Sequence, residues 1–292
     1  MNSKETMEYS YLINKGILNE NNEFKKGNIV SIKYDFNCKE YKILKEKYKL
    51  EKIAKNGTEF EKGKRLTNYF SKRLKHDPMY DNHIPSNSLD LLEYAFNKEN
   101  GINCLNKSKI MTEIFLSLGI KARRVTIMPY SSYDTDNHVV TEIFDNTLNK
   151  WIMLDPTTNG MFIDINKTPL SLLEIREHFS NNKFITFVKT NDKLDDLEKL
   201  SNKYLAENWY ICKNSFRYFV EKYQGFGIKE NNIILNFVPK NFSIKEWEIN
   251  NYKFRIDTFK NEYPKFAKVY QERLEKTKSS KEKKIYSIEI LK

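Results

Sequence analysis

Residues 100–125 read NGINCLNKSKIMTEIFLSLGIKARRV, and the rest of the chain is interpreted outward from them. Asn103 has the side chain of a helix N-cap and Gly119 that of a helix stop, which predicts a helix between them. Met111, Ile114, Phe115 and Leu118 form its apolar face. Cys104 falls on the same face two turns earlier, at near-integral helical spacing. At a helix start the unpaired backbone N–H groups and the positive dipole end stabilise a thiolate. The same N–H groups can receive a developing oxyanion. Most lone cysteines are small apolar core residues, so position is what separates Cys104 from Cys38 and Cys212.

Downstream, KARRVTIMPY (121–130) reads as a strand. HVVTEIF (138–144) and KWIMLD (150–155) read as two more, separated by the turn-forming DNTLN. A hairpin centred on 145–148 pairs Phe144 with Asn149 and sets His138 opposite Asp155. Side chains directly opposed on one face have Cβ atoms roughly 4.5–5.5 Å apart. That register gives the imidazole a carboxylate to fix its tautomer, and a one-residue slip would separate the two onto opposite faces. His138 opens an apolar strand. His76 and His83 lie in the proline-broken KHDPMYDNHIP (75–85) and His178 ends a polar helix, so these three are expected as solvated imidazoles.

Three residue types in this arrangement suit thiol chemistry: a nucleophile, a base that returns the proton, and an acid that orients the base. Asn87, Asn97 and Asn100 are conceivable second oxyanion donors, although turn or surface roles explain asparagines as well. Lys107 and Ser108, one turn beyond Cys104, are expected in helix-surface and packing roles rather than as a Ser–Lys dyad. Trp151 and Tyr130 are candidates for lining a substrate cleft, with core packing as the alternative for both.

The composition is compatible with one large domain or two small ones. There are 292 residues, 39% of them apolar, and the net charge is +11. Lysines are interspersed with Glu and Asp, as in KEYKILKEKYKLEKIAK (39–55), the pattern of a solvated mixed-charge surface. With no arginine stripe, zinc-finger spacing or RNA-binding signature, nucleic acid is not expected as a partner. Three widely spaced cysteines give neither a disulfide framework nor a zinc pattern. No EF-hand loop is present, and neither a metal nor a cofactor is expected. No secretory signal opens the chain and no apolar run is long enough to cross a bilayer, so a cytoplasmic protein with reduced thiols and no membrane partner is expected.

The remaining segments divide the chain into an N-terminal part (1–60), a central domain (61–185) and a C-terminal α+β extension (186–292). A short strand is expected within 28–36 and helices over 39–55, over 64–75 and after Ser88. Ser171 and Glu174 have capping-box spacing before another helix. Beyond 185 the reading is a long helix over 194–223, strands at NNIILNFVP (231–239) and EINNYKFRI (248–256), a helix over 258–277, and a closing strand at KIYSIEILK (284–292).

Three blocks together, NGINCLNKSKIMTEIFLSLGIKARRV, NHVVTEIF and KWIMLDPT, resemble the transglutaminase-like superfamily in its bacterial form. LSLLEIREHF after the aspartate strengthens the resemblance, which covers about residues 64–180. Leu105 after the cysteine and Val140 two positions after the histidine depart from the usual small or polar and aromatic residues. The resemblance implies an α+β papain/transglutaminase-like core, with the cysteine-bearing helix on an antiparallel sheet. It also implies a Cys104–His138–Asp155 triad and acyl transfer from a protein or peptide substrate. Hydrolysis of a peptide or amide bond is the expected outcome, with protein-glutamine transamidation or a non-catalytic binding role as alternatives. Oligomeric state is left open by the sequence.

Overall fold

The computed structural model describes residues 3–98 and 100–292. The first elements are α1 (Ser3–Glu20), β1 (Lys33–Tyr34), α2 (Glu40–Tyr48), α3 (Leu50–Ala54), α4 (Glu59–Ser71) and α5 (Ser88–Lys98). The centre holds α6 (Cys104–Ser117), β2 (Ala122–Met128), β3 (His138–Asp145), β4 (Lys150–Leu154), β5 (Gly160–Ile163), α7 (Leu172–Ser180) and β6 (Thr186–Lys189). The chain ends with α8 (Leu197–Lys203), α9 (Leu205–Asn214), β7 (Arg217–Glu221), β8 (Tyr223–Gln224), β9 (Ile234–Phe237), α10 (Ile244–Phe259), α11 (Pro264–Ser279) and a short 3-10 turn, Ile288–Leu291.

Helix α6 starts and stops where its sequence dictates. The Asn103 side chain accepts the Asn106 N–H at 3.2 Å. At the other end Gly119 takes φ +75°, a left-handed conformation that glycine adopts without steric cost. Its N–H bonds Leu116 O and the Ile120 N–H bonds Phe115 O, the paired reverse bonds of a Schellman stop. Helices α4 and α7 each open on a reciprocal capping box, Thr58 with Glu61 and Ser171 with Glu174.

The fold is mixed α+β. An antiparallel sheet of order β4-β3-β2-β7-β9 carries α6 against β2 and β3, while α2, α4 and α5 cover the helix from the other side. Every residue of α6 from Asn106 to Ser117 is therefore buried, polar ones included. Strands β7 and β9 come from beyond residue 185, so the sheet draws on both the central and the C-terminal segment. A second antiparallel pair, β5–β6, lies next to β4, and β1 pairs with β8 in parallel. Among the described residues no helix is long and apolar enough to cross a membrane.

Three sequence expectations need correction, and one helix carries no clear sequence signal. The helix expected to run to 223 ends at Asn214, and 217–221 pairs instead with the free edge of β2. EINNYKFRI is helical within α10, capped by Ser243. Its buried stripe is Ile244, Trp247, Glu248, Asn251 and Arg255, helical in spacing yet largely polar, so apolar periodicity does not reveal it. The closing strand is reduced to single bridges from Ile285 and Tyr286 before the 3-10 turn. Helix α1, unmarked in the sequence by a strong apolar stripe, packs on α7 and α9.

Candidate active site

Cys104 is the first residue of α6 and, with Leu105, is partly exposed, unlike the buried stretch from Asn106 to Ser117. His138 begins β3 and Asp155 lies one residue past β4; they are 2% and 1% exposed. The His138 Nε2 and Asp155 Oδ2 atoms are 2.9 Å apart. Cys104 lies close enough to the same imidazole to favour its protonated form. With Nε2 committed to the carboxylate, Nδ1 is the ring atom left for sulfur.

The hairpin that joins His138 to Asp155 differs from the expected register. Thr141 pairs with Leu154 and Asp145 with Lys150, which moves the turn one residue along to 146–149. Asp145 sets that turn by accepting the Leu148 N–H at 2.8 Å, and Asn149 closes it in a left-handed conformation, φ 52°. Continuing the ladder puts Asp155 opposite Val140, so His138 is its diagonal neighbour rather than its direct partner. Pairing moves by two residues, an even number, so both side chains remain on one face. Diagonal neighbours are roughly 7–8 Å apart, within reach of an imidazole and a carboxylate.

Asp155 is further held by the Thr157 N–H on Oδ1 and the Thr158 hydroxyl on Oδ2, both at 2.8 Å. Its backbone exchanges two hydrogen bonds with Gly160, where a side chain would strike the Phe187 ring, 1.9 Å from the site of a Cβ. Burial pushes the Asp155 carboxyl up, but His138 and the two threonine contacts outweigh it and hold the pKa at about 2. For His138 burial is again the largest single influence and lowers the pKa. The Asp155 charge and hydrogen bond, aided by Cys104, overcome it and raise the value well above the ordinary 6.5.

Three groups at the site were not recognised in the sequence as part of it. Tyr210 of α9 packs its ring edge-to-face on His138, with centroids 5.3 Å apart, and covers the His–Asp pair. No sequence signal linked it to His138, because α9 is distant in the chain. His76, expected as a solvated imidazole, is brought beside the segment entering α6 by an isolated parallel bridge to Ile102. Burial first, then Lys107 and His138, lowers its pKa. Lys107, expected in a surface or packing role, is 1% exposed.

The other candidates occupy different places. Ser108 donates its hydroxyl to Val139 O at 2.7 Å and makes no dyad with Lys107. Asn87 caps α5 through Asp90, and the Asn97 side chain lies outside the described residues. Trp151 sits opposite Phe144 at the far end of β3 from His138, with the Arg123 guanidinium 3.8 Å over its ring. Tyr130 is half exposed on the β2–β3 loop, edge-to-face with Phe216. Both make aromatic packing contacts. Among the described residues no group of three or more His, Cys, Asp or Glu could hold a metal ion.

Two cavities adjoin the site. One, about 470 Å³, is lined by Asn82, Ile84, Leu105, Asn106, Arg124 and Phe219 among others, next to the start of α6. The other, about 290 Å³, lies against Asp155 and is walled by Phe187, Trp209 and Tyr210.

Residues 46–156 match the family model described as the transglutaminase-like superfamily, a span that contains Cys104, His138 and Asp155. Two solved structures are also similar. A "putative cysteine protease" from Cytophaga hutchinsonii has 16% identity and a TM-score of 0.33, covering 53% of this chain and 49% of its own. A "putative protease" from Parabacteroides distasonis has 10% identity and a TM-score of 0.29, covering 50% of this chain and 30% of its own. The chain thus spans about half the length, or less, of the solved proteins it matches. No curated protein matches the sequence.

Proposed function

We propose, from the transglutaminase-like domain at residues 46–156, that Cys104, His138 and Asp155 act as a triad for acyl transfer from a protein or peptide substrate. In this reading the Cys104 sulfur attacks the carbonyl carbon of an amide or ester, and His138 holds the thiol proton. The oxyanion rests against the backbone N–H groups at the start of α6. His138 then protonates the leaving amine as the carbon–nitrogen bond breaks, which leaves a thioester on Cys104. Water, deprotonated by His138, attacks the thioester and releases the acid and the free thiol. Asp155 orients the imidazole and balances its charge.

The observation that carries this reading is the buried 2.9 Å His138–Asp155 contact, with a helix-terminal cysteine on the same ring. Water is proposed as the acceptor because it needs no amine site of its own. A free thiol nucleophile suits a reducing compartment, and the cytoplasm is the proposed setting.

The test is incubation of wild type and Cys104→Ala with a cell lysate and a labelled amine. Unlabelled fragments made by wild type alone support hydrolysis. Labelled products made by wild type alone move the assignment to transamidation, and identical outcomes for the two proteins overturn the triad.

A further inference from the structure

Lys107 is among the largest fully buried side chains of the molecule. It lies three residues after Cys104, on the same helical face. Helix side chains lean toward the N-terminus, the direction of the turn that bears the nucleophile, and the charges of Asp155 and Cys104 both act on its ammonium. Among the described residues no carboxylate comes within ion-pair distance of it. The other buried lysine of this helix, Lys109, has such a partner in Glu113 at 3.0 Å. A buried cation without a close counter-ion is costly, and its position beside a nucleophile calls for a reason beyond packing.

We propose, resting on the triad reading, that Lys107 is a positioning residue whose buried ammonium favours the ionised Cys104 sulfur and the oxyanion that follows. The charges support the assignment. With Cys104 ionised, His138 protonated and Asp155 ionised, the triad carries one net negative charge, which Lys107 neutralises. When sulfur attacks, that charge moves to the carbonyl oxygen, and a cation fixed on the nucleophile's own helix serves both states without reorganisation.

The titratable groups that share its surroundings are Cys104 on its own helix, His138 on β3, Asp155 after β4 and His76 on the loop before α6. Tyr210 on α9, under the influence of Asp136, adjoins the same cluster. Burial is the main influence on Lys107 and lowers it to about 8, while Asp155 and Cys104 act in the opposite sense. It is therefore still mostly charged at neutral pH.

The test measures iodoacetamide alkylation of Cys104 in the full-length protein from pH 5 to 9, with peptide mapping to separate it from Cys38 and Cys212. The proteins are wild type, Lys107→Met, Lys107→Gln and Lys107→Arg, each checked for a cooperative thermal transition. The two neutral variants should alkylate about three- to tenfold more slowly below neutral pH, with the profile displaced to higher pH. Lys107→Arg should stay within about twofold of wild type, since it keeps the charge. Either neutral variant suffices if the other does not fold. A reactive wild type with unchanged neutral variants overturns the role of Lys107 and leaves the triad standing. Loss in Lys107→Arg equal to that in Lys107→Met also overturns it, because shape and not charge would then be the cause. A wild-type Cys104 no faster than Cys38 overturns the triad and Lys107 together.

Discussion

Helix α6 buries two lysines, and it treats them in opposite ways. Lys109 is fully satisfied: its ammonium donates to Gly225 O at 2.9 Å and to Gly227 O at 2.5 Å, and it pairs with Glu113. Glu113 in turn accepts the Ser88 and Gly227 N–H groups at 2.7 and 2.9 Å. This network ties α5, α6 and the 225–227 loop together with little capacity left over. Lys107, nearer the helix start, is left beside Cys104 and Asp155 with no ion-pair partner among the described residues.

Strand β3 repeats the contrast. Glu142 is held by Arg123 at 2.7 Å and by the Leu172 N–H, while Arg123 also donates to Leu291 O at 2.6 Å. On the same face of β3, His138 has one ring nitrogen committed to Asp155 and feels the Cys104 sulfur nearby. Saturated polar networks fix the fold, and unsaturated ones are where chemistry can enter.

The largest expected effect on this comparison comes from Asp155→Asn. An amide in place of the carboxylate no longer holds the imidazole in the required tautomer, and kcat should fall on the order of 10³- to 10⁴-fold with little change in KM. Steady-state kinetics on any substrate found in the lysate experiment would measure it. A fall under tenfold would place Asp155 with the structural network instead.

Lys109→Met is the opposite case. Removing one member of a buried ion pair strands the other charge and should cost roughly 3–5 kcal/mol in urea unfolding. The alkylation profile of Cys104 should stay at wild type. If Lys109→Met slowed Cys104 as much as Lys107→Met does, the two lysines would not be distinct.

The smallest effect is pH-linked. The Asp155 pKa is depressed from 3.8 to about 2, so it contributes stability that is present above its unfolded value and lost as pH falls through the folded one. Urea titrations stepped from pH 4 to pH 2 should show a loss on the order of 2 kcal/mol from this group. That loss should be missing in Asp155→Asn. His138 has the opposite sign, because its pKa is raised. Its contribution is complete below the unfolded value and declines only as pH climbs through the folded one.

Much of the core was legible because its signals are local. Asn103 and Gly119 bound α6, and Ser171 with Glu174 opens α7, through bonds within a few residues. The hairpin was legible in its face but not its register. Strand periodicity of two fixes the face, whereas Asp145 and Asn149 decide where the turn forms. Helix α10 was misread because its inner stripe is polar, and burial of polar residues depends on partners that periodicity does not see.

The sequence by itself determined the cysteine at a helix start, the histidine and aspartate on one strand face, and the order of the central elements. Each follows from capping, helix period or strand alternation, which act over a few residues. Only the tertiary structure decided that Lys107 is buried while Lys109 is paired, and that Tyr210 covers His138. It also decided that β7 and β9 complete the sheet. The physical reason is that burial and electrostatic environment come from elements distant in the chain. The sheet lies on one side of α6 and α2, α4 and α5 on the other, so a helix with polar residues on every side has no solvent-facing surface left.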